Sequence, residues 1–142
     1  NWRLVLAGKG DWSRYLRFAS EQTREKIIAL DPVDDVETLY AAADLFVLPS
    51  IYEPFGNANL EALASGLPIV TSRNTGVAEI IEPKKEGMIV EDPSNPKAIA
   101  EAIVYLMDPK VREPMGKFAR SLAERFTQKQ NAEAMLRIYR AL

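Results

Sequence analysis

The sequence predicts an α/β fold: a parallel sheet with helices on both faces and an all-helical C-terminal tail. Three observations carry this. Apolar runs of four to six residues alternate with helical stretches, the rhythm of βα units. Runs such as Phe46-Val-Leu48 and Ile69-Val70 are apolar at consecutive positions, as in parallel strands covered on both faces. The last third carries helix-capping signals one after another.

Taken in order, strands are expected at Arg3–Leu6, Lys26–Leu30, Leu45–Leu48, Ile69–Thr71 and Met88–Val90. Helices fit Ser13–Gln22, Asp35–Ala43, Ala58–Ser65 and Val77–Glu82. Asn95 caps a further helix with Pro96 in its first position, and Asp108-Pro109 repeats the device. Thr127 and Gln130 form a capping box for the last helix, whose apolar stripe is Ala132, Met135, Tyr139 and Leu142. The 142 residues read as a single domain without repeat, low-complexity tract or linker.

Composition narrows the chemistry. With 47% apolar residues the chain can bury a core. It has no apolar run long enough to cross a bilayer, a span of about eighteen residues or more. Cysteine is absent, which excludes disulfides and thiolate metal sites and points by default to a reducing cytoplasm. Histidine is absent too, so Ser-His-Asp catalysis and His-ligated zinc are excluded. Carboxylates, Lys, Arg, Tyr, backbone dipoles and the substrate's own groups remain. The net charge is −2, with the positive charge gathered late: eight Lys or Arg against three Glu from Lys110 onward. Solvated faces of amphipathic helices explain this better than an acidic partner or a lipid surface. No basic groove interleaved with aromatics is visible, so nucleic acid is not an expected partner. The first residue is Asn1 rather than Met, which reads as a piece of a longer protein.

One stretch concentrates the chemistry: Ser50-Ile-Tyr-Glu53-Pro54-Phe55-Gly56-Asn57-Ala58-Asn59-Leu60-Glu61. Pro54 and Gly56 break structure, Asn57 suits an N-cap, and Leu60, Leu63 and Ala64 share a helical face before Gly66 and Pro68 end it. A helix N-terminus offers unpaired N–H groups and partial positive charge, and so receives phosphate. Glu53 falls just outside that anion site and Glu61 one turn inside. Each alone has a plain structural explanation, Glu53 as a solvated loop acid and Glu61 as an acid favoured by the helix dipole. Together they flank the phosphate site with groups that accept hydrogen bonds from hydroxyls. A nucleotide-sugar, with phosphates between two hydroxylated ends, fits. Gly8-Lys9-Gly10 after the first strand reads either as a turn whose backbone approaches a nucleotide or as a plain strand-to-helix turn, since Ser13 stands where a dinucleotide fingerprint needs a small third residue. In Asp31-Pro-Val33-Asp34-Asp35, a Pro turn with Asp34 as N-cap is the simplest structural account.

The pattern Glu53-Pro-Phe-Gly-Asn-Ala-Asn-Leu-Glu61, followed by Ala-Leu-Ala-Ser-Gly-Leu-Pro-Ile-Val, resembles the E-x7-E motif of retaining glycosyltransferases with the GT-B fold, the group 1 or family four type. Leu4-Val-Leu-Ala-Gly-Lys-Gly10, Leu39-Tyr-Ala-Ala-Ala-Asp-Leu-Phe-Val-Leu-Pro-Ser50 and Gly76-Val-Ala-Glu79 are similar to that family's other C-domain signatures, in order and at its spacing. The resemblance implies a Rossmann-like fold, the C-terminal half of a GT-B enzyme with its first βα unit missing. That unit would carry a catalytic Arg and Lys, and an N-terminal domain before it would hold the acceptor.

By the same resemblance, Glu53 is the catalytic-site carboxylate and holds hydroxyls of the donor sugar. Pro54, Phe55, Gly56, Asn57 and Ala58 bring backbone to the diphosphate, and Glu61 holds the ribose hydroxyls. Gly8, Gly10 and the backbone near Val33 approach the nucleotide. The family usually has small or apolar residues where Asn57 and Asn59 fall, so the fine donor contacts differ here. The expected function is transfer of a hexose from a nucleotide-sugar, a UDP-sugar first, with retention at the anomeric carbon. No metal or other cofactor is expected. A nucleotide-sugar epimerase and a binding module without catalysis of its own are the alternatives; the absence of His counts against the first. The expected setting is cytoplasmic, with membrane contact only peripheral and only through the full-length protein. The isolated chain is expected to be inactive and to self-associate through an open sheet edge or its last helix.

Overall fold

The structure, a computed structural model, describes residues 2–142. Its strands form two separate parallel sheets, one of two strands and one of three. The chain divides into two compact units, the first ending at Thr38 and the second running from Leu39 to Leu142.

In the first unit β1 (Leu4–Ala7) pairs with β2 (Ile27–Leu30), Leu4 opposite Ile27. The single helix expected over Ser13–Gln22 is instead two short ones, α1 (Ser13–Leu16) and α2 (Glu21–Arg24). Ser20 explains the break: it is extended, and its side chain accepts from Thr23 N–H, which starts a new helix. The helix expected from Asp35 appears as α3 (Val36–Ala42), which begins in the first unit and ends in the second. Its cap is Asp35 rather than Asp34, since Asp35 accepts from the Thr38 N–H at 3.1 Å and from the Thr38 hydroxyl at 2.6 Å.

The second unit holds the core. Strands β3 (Phe46–Leu48), β4 (Ile69–Ser72) and β5 (Gly87–Val90) lie in sequence order, with Phe46 opposite Ile69 and Ile69 opposite Gly87. Successive β4 residues point to opposite faces, and both faces are covered. On one, Ile69 packs with Ala62 and Leu63 of α4 (Asn57–Ala64), with Val77, and with Ala119, Leu122 and Ala123 of α6 (Pro109–Ala123). On the other, Val70 packs with Val90, with Ala102 and Leu106 of α5 (Pro96–Leu106), and with Met115 of α6. Helix α6 thus contributes to both clusters. The caps in this part stand where the sequence puts them: Asn95 and Asp108 with Pro at the next position, and Thr127 with Gln130 in a reciprocal capping box opening α7 (Gln128–Arg140). The helix expected over Val77–Glu82 is only a 3-10 turn at Gly76–Glu79.

Candidate functional site

The C-terminal ends of β3 and β4 carry the two loops that build the site. After β3 the chain runs beside the segment that follows β4, meeting it in a parallel bridge between Glu53 and Thr75. Glu53 N–H donates to Asn74 C=O at 3.3 Å, Gly76 N–H to Glu53 C=O at 3.1 Å, and Val77 N–H to Phe55 C=O at 2.9 Å. Both backbone groups of Glu53 are therefore clamped, and its place is set by a ladder rather than by a free loop.

Buried hydroxyls brace the same corner. Thr71 and Thr75 share a hydrogen bond of 2.9 Å, Thr75 donates to Ser72 C=O at 2.8 Å, and Ser72 donates to Ser50 C=O. Each side-chain oxygen buried here has a partner, as a rigid polar corner requires. Gly76 admits the close approach of the two loops, because a Cβ there would clash with the Pro54 carbonyl oxygen, far inside van der Waals contact distance.

Gly56 makes the turn into α4 in a left-handed conformation, φ 87° and ψ 66°, a region that glycine enters without steric penalty. It takes the N-cap position expected of Asn57, which is instead the first helical residue. The conformation rather than side-chain preference settles this, since the sharp turn out of the ladder demands positive φ. Gly56 has no side chain to offer, so no side chain caps α4, whereas Asn95, Asp108 and Thr127 cap α5, α6 and α7. The Asn59 and Leu60 N–H groups donate to Gly56 C=O at 2.9 and 3.3 Å, which leaves the earlier first-turn N–H groups directed outward with the positive end of the helix dipole.

Glu61 is exposed on the first turns of α4, and the Tyr40 hydroxyl donates to its Oε2 at 3.1 Å. Tyr40 stands 3.4 Å from the Ala58 carbonyl as well and packs edge-on against Phe46, ring centroids 5.8 Å apart. The structure thus brings Glu53, Pro54, Phe55, Gly56, Asn57, Ala58 and Glu61 together around one helix start. Sequence reasoning missed the role of Tyr40, which lies 21 residues from Glu61; its one legible signal was a hydroxyl-bearing aromatic in an otherwise alanine-rich turn. The helical face also differs from expectation. Asn59, Ala62 and Leu63 are buried, while Ala64 is exposed.

Gly8, Gly10 and Val33 belong to the first unit. Both glycines have positive φ, with nothing within 4 Å of where a Cβ would stand, so they form an open turn. Val33 is half-buried in the loop before α3. Among the described residues no group of three or more Asp or Glu could hold a metal ion. A groove of about 440 Å³ lies at the far end of α4, lined by Gly66, Glu113, Gly116 and Arg120 among others; it includes none of the motif residues.

Residues 1–109 match the family described as glycosyl transferases, group 1. An uncharacterized glycosyltransferase of Methanocaldococcus jannaschii is 44% identical over 104 residues, 70% of this chain and 26% of its own length. The D-inositol 3-phosphate glycosyltransferase of Corynebacterium jeikeium is 35% identical over 139 residues, 97% of this chain and 31% of its own. Among solved structures, the sucrose-phosphate synthase of Thermosynechococcus elongatus superposes with TM-score 0.84 at 29% identity, over 98% of this chain and 38% of that one. Anabaena HepE in complex with UDP shares the fold, TM-score 0.86 at 22% identity, over 99% of this chain and 41% of that one. The chain spans about a quarter to a third of the length of these curated relatives.

Proposed function

This chain belongs to the group 1 glycosyltransferase family, and we propose that it forms the donor-binding part of an enzyme that transfers a hexose from a nucleotide-sugar, with retention at the anomeric carbon. One observation carries the proposal: the uncapped start of α4 lies between a backbone-clamped Glu53 and a Tyr40-held Glu61. The outward N–H groups receive the diphosphate and stabilise the charge it gains as the glycosidic bond breaks. Glu61 accepts from the ribose hydroxyls, and Glu53 accepts from hydroxyls of the sugar. Carboxylates suit these places because each accepts several hydrogen bonds and repels further anions, which keeps the phosphates at the helix start.

Uridine is the base proposed first, on the family resemblance. Gly8, Gly10 and the backbone near Val33 are proposed as its further nucleotide contacts. The acceptor is proposed to bind elsewhere in the full-length protein. No described helix is long and apolar enough to cross a membrane.

Calorimetric titration with UDP-, GDP- and ADP-sugars identifies the donor. Glu53→Ala in the full-length protein is then expected to abolish most transfer of that sugar while free nucleoside diphosphate binds nearly as before. Equal losses for nucleotide and nucleotide-sugar would contradict the assignment of Glu53 to the sugar. Binding is expected to survive EDTA, since the site offers no metal-ligating group of three acids. A tenfold drop on chelation would overturn the metal-free reading.

A further inference from the structure

Asn59 is fully buried on the first turn of α4, yet neither its Nδ2 nor its Oδ1 has a hydrogen-bond partner. An unpaired buried amide is destabilising. The neighbouring buried positions of the helix are Ala62 and Leu63, so the packing itself asks only for an apolar side chain. The amide lies beneath the Gly56 turn. A Cβ on Gly56 would stand 2.7 Å from Asn59 Nδ2 and 3.2 Å from Glu53 Cγ. Having no side chain at position 56 thus leaves a gap that both the Asn59 amide and the Glu53 side chain border. Because the Glu53 backbone is hydrogen-bonded at both N–H and C=O, only its side-chain torsions remain to aim the carboxylate.

We propose that Asn59 is a positioning residue for Glu53: in the donor-bound state its Nδ2 donates to the Glu53 carboxylate and holds it toward the sugar hydroxyls. This rests on the reading of Glu53 as the sugar-holding carboxylate. A neutral amide suits the task. It occupies one acceptor site of the carboxylate and leaves the others for hydroxyls, whereas a lysine would neutralise the acid and compete with the sugar. The unpaired amide is then a donor whose partner is the Glu53 carboxylate, reached by rotation of the Glu53 side chain alone.

The test is a double-mutant cycle in the full-length protein with the sugar nucleotide selected by the titration panel. Asn59→Leu is expected to lower kcat for donor turnover by about tenfold or more, with free nucleoside diphosphate affinity unchanged and Tm equal or higher. Glu53→Gln is expected to lower it further, and the Asn59→Leu/Glu53→Gln double variant to be no slower than Glu53→Gln alone, as for residues acting as one unit. Asn59→Ser completes the same cycle if the leucine variant does not fold. Losses that multiply in the double variant, or a lowered Tm with intact kcat, would overturn the proposal and mark Asn59 as a structural amide bridged by buried water. If Glu53→Gln alone changes neither turnover nor sugar-nucleotide affinity, the reading of the site fails, and this inference with it.

Discussion

Glu61 illustrates how a single exposed acid acquires a defined direction. Its position in α4 gives it the helix dipole, worth about 0.3–1 kcal/mol at an exposed site, but the Tyr40 hydroxyl at 3.1 Å fixes where the carboxylate points. Glu61→Gln is expected to weaken nucleotide binding by about 1.5–3 kcal/mol, the range for hydrogen bonds to charged groups. Its Tm should hardly move, because the side chain is exposed. Tyr40→Phe should weaken binding by about 1 kcal/mol, less than loss of the acid itself, because the Glu61 carboxylate stays but is no longer aimed. Unchanged nucleotide affinity in calorimetry of Glu61→Gln would leave the acid with only its dipole role. The spacing of Glu53 and Glu61 was readable because both flank one local turn. Tyr40 was not, since no local pattern announces a contact across 21 residues.

At the scale of elements, helix starts follow local chemistry wherever a side chain caps its own helix, as at Asn95, Asp108 and Thr127. They depart from it where another segment takes over the backbone. The expected Val77–Glu82 helix shortens to a 3-10 turn because the Glu82 N–H goes to the Glu86 carboxylate at 2.7 Å instead of a carbonyl one turn back, and Pro83 follows. Gly76→Ala drives a Cβ into the Pro54 carbonyl and is expected to cost at least about 1–3 kcal/mol, the usual price of overpacking. A lower urea midpoint measures it; an unchanged midpoint would mean the loops separate freely.

The Asp35 cap carries a pH dependence. Hydrogen bonds from the Thr38 side chain and then its backbone lower the Asp35 pKa from its ordinary 3.8. A lowered folded pKa means the unfolded chain takes up the proton first as pH falls. The cap's contribution is therefore present above about pH 4 and is lost below it. Asp35→Asn should flatten that acid-side loss in a pH series of thermal melts.

For the whole molecule, burial is unevenly shared. Among the described residues every buried one lies beyond Leu39, and in the first unit the strand residues Leu4, Val5 and Ile28 remain 39%, 46% and 45% exposed. Apolar parallel strands are ordinarily covered on both faces, and uncovered strand edges pair with other chains. Helix α7 likewise leaves Met135, Leu136, Ile138 and Tyr139 exposed. The isolated 142-residue chain is therefore expected to self-associate, with an apparent mass in light scattering that rises over a concentration series. A monomer at high micromolar concentration would show that these surfaces tolerate water unaided.

The sequence alone determined what is local or compositional. Apolar runs on both strand faces imposed a parallel α/β fold, caps placed the last three helices, and Glu53 and Glu61 bracketed a glycine turn before a helix. The absence of His and Cys removed whole classes of chemistry. Tertiary structure decided what depends on neighbours distant along the chain. It clamped Glu53 through the Asn74 and Gly76 backbone, set Tyr40 on Glu61, gave the cap position to Gly56, and buried Asn59 without a partner. The physical reason is the range of the interactions. Capping and periodicity act within a turn or two of the chain, whereas a hydrogen bond between loops exists only after the sheet has brought their strands side by side.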